Sequence, residues 1–212
     1  MAHVLVATRS ADKLREIQHV LASPGEIELV SLQDVGIHES AEEENLEEFE
    51  TFEGNALAKA RYFARLSGLP TIADDSGLCV DALGGAPGVW SKRFSGRTDL
   101  LGIELDQANN ELLLKRLEGL PLEQRGAHYL CAIAYVDGDT AASVVRGRCD
   151  GIILSELRGT QGFGYDPLFF IPSENATFAE LSRFRKNELS HRAQAVRALA
   201  GFLARRLDEI QR

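Results

Sequence analysis

The chain has 212 residues, 44% of them apolar, and a formal net charge of −9. That apolar fraction fills a core and excludes a disordered chain, while the acidic balance excludes a general nucleic-acid binder, whose footprint is basic. No stretch approaches the roughly 20 apolar residues of a membrane span, and Cys79, Cys131 and Cys149 form no CxxC pair, which argues against a disulfide framework or thiolate zinc site and for a reduced cytoplasmic compartment.

Val4–Ala7 reads as a buried strand. Ser10 caps the helix after it, with Asp12 in the first turn and Leu14, Ile17 and Leu21 at helical spacing, until Pro24-Gly25 stops it. Ile27–Leu32 is a second strand, and residues 39–50 form an acidic run read as a solvated loop. Thr51 caps a helix through Ser67, with Ala56, Ala60, Phe63 and Leu66 on its inner face and Gly68 ending it. Strands are predicted over 70–73 and 77–81, a tight loop over Gly84–Gly88, and a helix over 104–118. Tyr129–Val136 and Ala141–Arg148 form a hairpin through Asp137-Gly138-Asp139. Further strands cover 151–156 and Leu168–Ile171, and a last helix carries Leu189, Ala193, Val196, Ala200, Leu203 and Leu207 in one apolar stripe. The length fits one large domain or two small lobes. A βαβ start, a central hairpin and a closing helix predict an α/β or α+β fold with a mixed twisted sheet flanked by helices, rather than a purely parallel one.

Four segments hold the candidate chemistry. Thr8-Arg9-Ser10-Ala11-Asp12-Lys13 joins a buried strand to a helix start, where backbone N–H groups, the Thr8 and Ser10 hydroxyls and the Lys13 ammonium suit a phosphate; it lacks the glycines of a Walker loop. In Asp74-Asp75, extended backbone sends successive side chains to opposite faces, so one carboxylate reaches a cleft while the other holds a turn or the far face. An unperturbed aspartate is a poor base at neutral pH, but with magnesium it can orient a water. Gly162-Phe163-Gly164-Tyr165-Asp166-Pro167 offers two aromatic faces for a planar base and an acceptor for a base edge or a loop. Lys186, His191 and Arg192 are donors at the start of the last helix. Each segment alone also reads as ordinary structure: a serine-capped turn, an Asx-turn ending a strand, an aromatic loop, a solvated helix start. Together they are the parts of a nucleoside triphosphate site.

These segments, with Ile72-Ala73-Asp74-Asp75-Ser76-Gly77-Leu78, Gly84-Gly85-Ala86-Pro87-Gly88-Val89 and Ser190-His191-Arg192, make the chain similar along its length to the inosine triphosphate pyrophosphatase family. The resemblance implies one domain over residues 1–212, elongated, with two lobes around a central cleft, in a homodimer. It implies magnesium-dependent hydrolysis of non-standard purine nucleoside triphosphates (ITP, dITP, XTP, dXTP) to the monophosphate and pyrophosphate. By position, Asp75 matches the catalytic and metal-binding aspartate and Ser76 a substrate contact. Phe163, Gly164, Tyr165 and Asp166 match the base loop, Lys186, His191 and Arg192 its donors, and Thr8, Ser10 and Lys13 the phosphate turn. The second metal carboxylate is Glu47 by ungapped counting, or Glu42 or Glu43 with an insertion. The chain departs from the family's first motif, with Arg9, Ser10 and Asp12 in place of Gly, Asn and Gly. Two other readings stand beside this one: a pyrophosphatase of modified pyrimidine nucleotides, and a nucleotide-binding regulator without catalysis.

Overall fold

The computed structural model describes residues 2–21, 27–138 and 141–210. Its strands are β1 (Ala2–Val6), β2 (Ile27–Ser31), β3 (Thr71–Val80), β4 (Gly126–Asp137), β5 (Ala141–Ile153), β6 (Phe169–Ile171) and β7 (Ala176–Thr177), and its helices are α1 (Ala11–Leu21), α2 (Phe52–Ser67), α3 (Gly102–Arg116), α4 (Arg183–Leu189) and α5 (His191–Ile210). The strands bond in the order β2-β1-β3-β4-β5-β6-β7. β1 runs parallel to β2 and β3, whereas β5, β6 and β7 pair antiparallel, so the sheet is mixed, as expected. The Pro24-Gly25 stop and Asp139 of the predicted turn lie outside the described residues, as does the side chain of Leu207.

The chain divides into two compact units, and β3, β4 and β5 each contribute residues to both. The first unit holds residues 1–75, 131–147 and 191–212. Its core joins Val4 and Val6 of β1, Ile17 of α1, Ile72 of β3, Cys131 and Ile133 of β4, and Val196 and Leu199 of α5. Of the predicted stripe, Val196 and Leu203 join this core and Ala193 is buried, as a period of 3.6 residues allows; Ala200 is half-buried, and Leu189 ends α4 because the predicted last helix breaks at Ser190. β5 and α5 approach closely at Gly147, where a Cβ would collide with the His191 carbonyl oxygen. α2 starts where Thr51 accepts from the Gly54 N–H and ends at Gly68 in the left-handed conformation, φ 69°. Leu66, expected on the inner face of α2, is exposed instead, while Phe52 and Asn55 are buried. The second unit holds residues 76–130 and 148–190. Leu78, Val80, Leu113, Leu117, Tyr129, Ile153, Leu168, Phe169 and Phe178 form its core.

Three further expectations are corrected. The strands predicted over 70–73 and 77–81 are one continuous β3 running straight through Asp74-Asp75, so no turn sits there. A strand accepts two adjacent carboxylates when alternation sends them to separate partners, and it does so here. The acidic run is not a loose loop: residues Ala41–Glu47 form a 3-10 helix capped by Ser40. The strand predicted over 151–156 is the end of β5.

Candidate active site

In the first unit, the sequence of β3 dictates how its two aspartates part company. Asp74, 2% exposed, accepts from Lys13 Nζ of α1 at 3.1 Å and from Arg192 Nε of α5 at 3.3 Å, both through Oδ2. Arg192 also pairs with Glu16 of α1. Burial works against the Asp74 anion, yet Lys13, Arg192 and Lys59 hold its carboxyl well below the usual range. Asp75 meets a different set. Its Oδ2 accepts from Asn55 Nδ2 at 2.9 Å and its Oδ1 lies 3.7 Å from Lys59 Nζ, both on α2. Burial raises the Asp75 pKa, with the nearby Glu47 charge adding to it and Lys59 and Lys13 opposing.

Lys59 Nζ also donates to Glu47 Oε1 at 2.7 Å, so one ammonium stands between two carboxylates. The three glutamates considered for the second metal position have different partners. Glu42 accepts from the Tyr62 hydroxyl at 3.1 Å and Glu43 is gripped by Arg9, whereas Glu47 shares a cation with Asp75. Among the described residues no group of three or more His, Cys, Asp or Glu side chains could hold a metal. A pair is what a magnesium-type site on a nucleotide asks of the protein, since such ions take one or two carboxylates and fill the rest of their shell from phosphates and water. The ionised side chains of this cluster, Lys13, Lys59 and Arg192 against Glu16, Glu47, Asp74 and Asp75, leave an excess negative charge. The donor set therefore fits a hard divalent cation.

The phosphate turn has its expected local form. Lys13 N–H donates to Ser10 Oγ at 3.4 Å and Ser10 N–H to Thr8 Oγ1 at 3.2 Å, which places both hydroxyls at the start of α1. Asp12 pairs with Arg15. His191, 5% exposed, opens α5 beside Arg192. The segment read as a possible solvated helix start is an interior one, with Lys186, Asn187, Ser190, His191 and Arg192 all buried.

In the second unit, the Phe163–Asp166 segment is a built loop. Asp166 Oδ2 accepts from the Phe163 N–H at 2.9 Å and from Lys186 Nζ at 2.6 Å. Gly162, at φ 79°, admits this because a Cβ there would strike the Asp166 carboxylate. Lys186 Nζ lies 4.7 Å from the Phe163 ring centroid. Asp106 Oδ2 accepts from the Gly164 N–H at 2.7 Å, and Asn110 Nδ2 donates to the Gly164 carbonyl at 2.9 Å, so α3 grips both polar groups of one loop residue. Tyr165 does not offer a stacking face: it is 3% exposed and donates its hydroxyl to the Ser91 carbonyl at 2.8 Å. Its flanking apolar contacts make it a core residue, and burial raises its pKa further. Phe163 is the aromatic of this loop that stays half-buried, and Ser76, next to Asp75 on β3, is half-buried too.

Sequence reading missed Asn55, Lys59 and Glu16 in the first unit and Asp106 and Asn110 in the second. Asn55 and Lys59 stand four apart on α2, as do Asp106 and Asn110 on α3. Polar pairs at that spacing share one helical face, which was the available signal. Burial lifts the Cys131 thiol to about 12 and the Cys149 thiol to about 11.

Comparison with known proteins adds a second line. A model of the Ham1 family matches residues 4–202. A dITP/XTP pyrophosphatase of Shigella flexneri is 46% identical over 201 residues, covering 94% of this chain and 96% of that one. A dITP/XTP pyrophosphatase of Frankia alni is 47% identical over the same length and shares. Among solved structures, a HAM1 protein from Coxiella burnetii superposes with a TM-score of 0.84 at 36% identity, covering 97% of this chain and 100% of its own.

Proposed function

The chain belongs to the Ham1 family, and from that premise we propose that it hydrolyses non-standard purine nucleoside triphosphates, ITP and XTP and their deoxy forms, to the monophosphate and pyrophosphate. The observation that carries the reading is the split at β3: Asp75 shares a cation with Glu47 while Asp74 anchors Lys13. One strand thus supplies a metal-binding edge and fixes a phosphate-binding ammonium.

Magnesium, held by Asp75 and Glu47, would neutralise phosphate charge and lower the cost of generating a nucleophile from water. The chain's own residues do the rest. Lys13, with Thr8, Ser10 and the start of α1, meets the triphosphate. Asp74 and Arg192 keep Lys13 in place. Asp75, beside that ion, would orient the attacking water and accept its proton. Lys59 stabilises the two carboxylates until substrate and metal arrive. Phosphoryl chemistry of this kind asks the protein mainly for positioning and charge stabilisation.

The base is read in the Phe163–Asp166 loop. With Lys186 on one face of its ring, Phe163 offers the purine the other. Hypoxanthine and xanthine carry an acceptor at position 6 where adenine carries a donor. A donor at that edge suits the first two and leaves adenine's amino group unpaired; Arg192 is held by Asp74 and Glu16, so Lys186 takes that part here. Mismatches of this sort reach about 10⁴–10⁵ in specificity at the upper end. The experiment is a pyrophosphate-release panel with inosine, xanthosine, guanosine and adenosine triphosphates plus magnesium. Turnover should favour the first two, and equal rates on all four would remove the selectivity claim. Asp75→Asn should lose at least about 10²-fold in kcat, the scale of general-base loss, with the fold intact by circular dichroism.

A further inference from the structure

Resting on that reading, we propose that Arg9 and Glu43 form a clamp that sets Glu47 against Asp75, so that Arg9 is a positioning residue for the metal carboxylate. Arg9 follows β1 in the phosphate turn, and its guanidinium is used on every side. Nε and Nη2 donate to the two oxygens of Glu43 at 3.0 and 2.6 Å, Nη1 donates to the Ile37 carbonyl at 2.9 Å, and the group lies 5.8 Å from the Phe63 ring centroid. A planar fork on a planar carboxylate fixes direction as well as distance, which an ammonium cannot do.

Glu43 lies in the 3-10 helix Ala41–Glu47, and Glu47 is its last residue. Glu43 Oε1 also accepts from the Ser40 N–H at 3.2 Å, so the same carboxylate that receives Arg9 caps this helix. From the other side, the Tyr62 hydroxyl of α2 meets Ser40 Oγ at 3.2 Å and Glu42 at 3.1 Å. The helix is thus tied to the phosphate turn through Arg9 and to α2 through Tyr62. It is too short to hold itself, since 3-10 helices have poor intrinsic bond geometry. Its position, and so the place of Glu47 beside Lys59, is set by these ties. Glu43 is the better shielded partner, with 14% of its side chain exposed against 32% for Arg9, so the pair is not a freely solvated one. A residue that orients a ligand from behind commonly costs about 10–100-fold in metal affinity when lost.

The test measures Mn²⁺ binding by calorimetry without nucleotide and amide exchange across residues 41–47. Arg9→Ala and Glu43→Ala should each weaken Mn²⁺ by at least about tenfold and speed exchange in that segment. Arg9→Lys keeps the charge but loses the fork, and should fall between. The reciprocal pair Arg9→Glu with Glu43→Arg should recover part of the affinity. Unchanged Mn²⁺ affinity and exchange in Arg9→Ala would overturn the clamp while leaving the proposed function standing. Failure of the unaltered protein to bind Mn²⁺ would instead sink the metal reading, and the clamp's role with it.

Discussion

Asp74 and Asp75 are neighbours in sequence, equally interior, and electrostatically opposite. Asp74 faces two cations and its carboxyl is held down; Asp75 is dominated by burial and its carboxyl is pushed up. The two contribute to stability in opposite pH windows. Asp74 stabilises the fold fully above its ordinary value of 3.8, and that contribution is lost as pH falls below it. Asp75 favours the fold most below 3.8, and its contribution is lost as pH rises through its raised native value. Asp74→Asn should therefore destabilise the protein at neutral pH by about 3–5 kcal/mol, the cost of leaving buried cations without their counter-charge, with little effect at low pH; urea unfolding across pH measures it. In metal-free buffer at neutral pH, Asp75→Asn should unfold at a higher temperature than the unaltered protein. A lower one would mean that Lys59 and Asn55 outweigh the burial cost.

α3 and the 3-10 helix at residues 41–47 show how elements hold sites. Asp106 and Asn110 of α3 grip the N–H and carbonyl of Gly164, and Asn109 accepts from the Ser95 N–H and donates to the Lys92 carbonyl, so one helix pins two loops. Asn110→Ala leaves the Gly164 carbonyl short of a donor, a loss of about 1–3 kcal/mol if it stays dry. Its more telling effect should be a fall in the ratio of ITP to ATP turnover, read from kcat/KM on each. Gly147→Ala forces β5 and the start of α5 apart, because the new Cβ meets the His191 carbonyl. It should lower the melting temperature and, by displacing Arg192, weaken the hold on Asp74. The helices α1, α2 and α5 were legible because capping residues and apolar spacing act locally. The acidic segment was not, because the partners that order it, Arg9, Lys59 and Tyr62, lie far away in sequence.

For the molecule as a whole, chain continuity matters most. β3, β4 and β5 each belong to both compact units, so neither unit can lose those strands without disturbing backbone that the other uses. Unfolding should then be one cooperative transition. The single tryptophan, Trp90, reports on the second unit, and its fluorescence should change at the same urea concentration as the far-ultraviolet circular dichroism; separated midpoints would show independent units. Divalent cation should raise the melting temperature, since a ligand bound only to the native state stabilises it by mass action, and chelation should abolish turnover reversibly.

By itself the sequence determined the family and the mixed α/β order of elements, because caps, periodicity and short motifs are written in neighbouring positions. Only the tertiary structure decided what those residues do for one another. It put Tyr165 into the core, committed Arg192 to Asp74 and Glu16, and chose Glu47 over Glu42 and Glu43 as the companion of Asp75. Such choices depend on which charges meet once distant segments are packed together, and a buried charge keeps whatever partner the fold brings within reach.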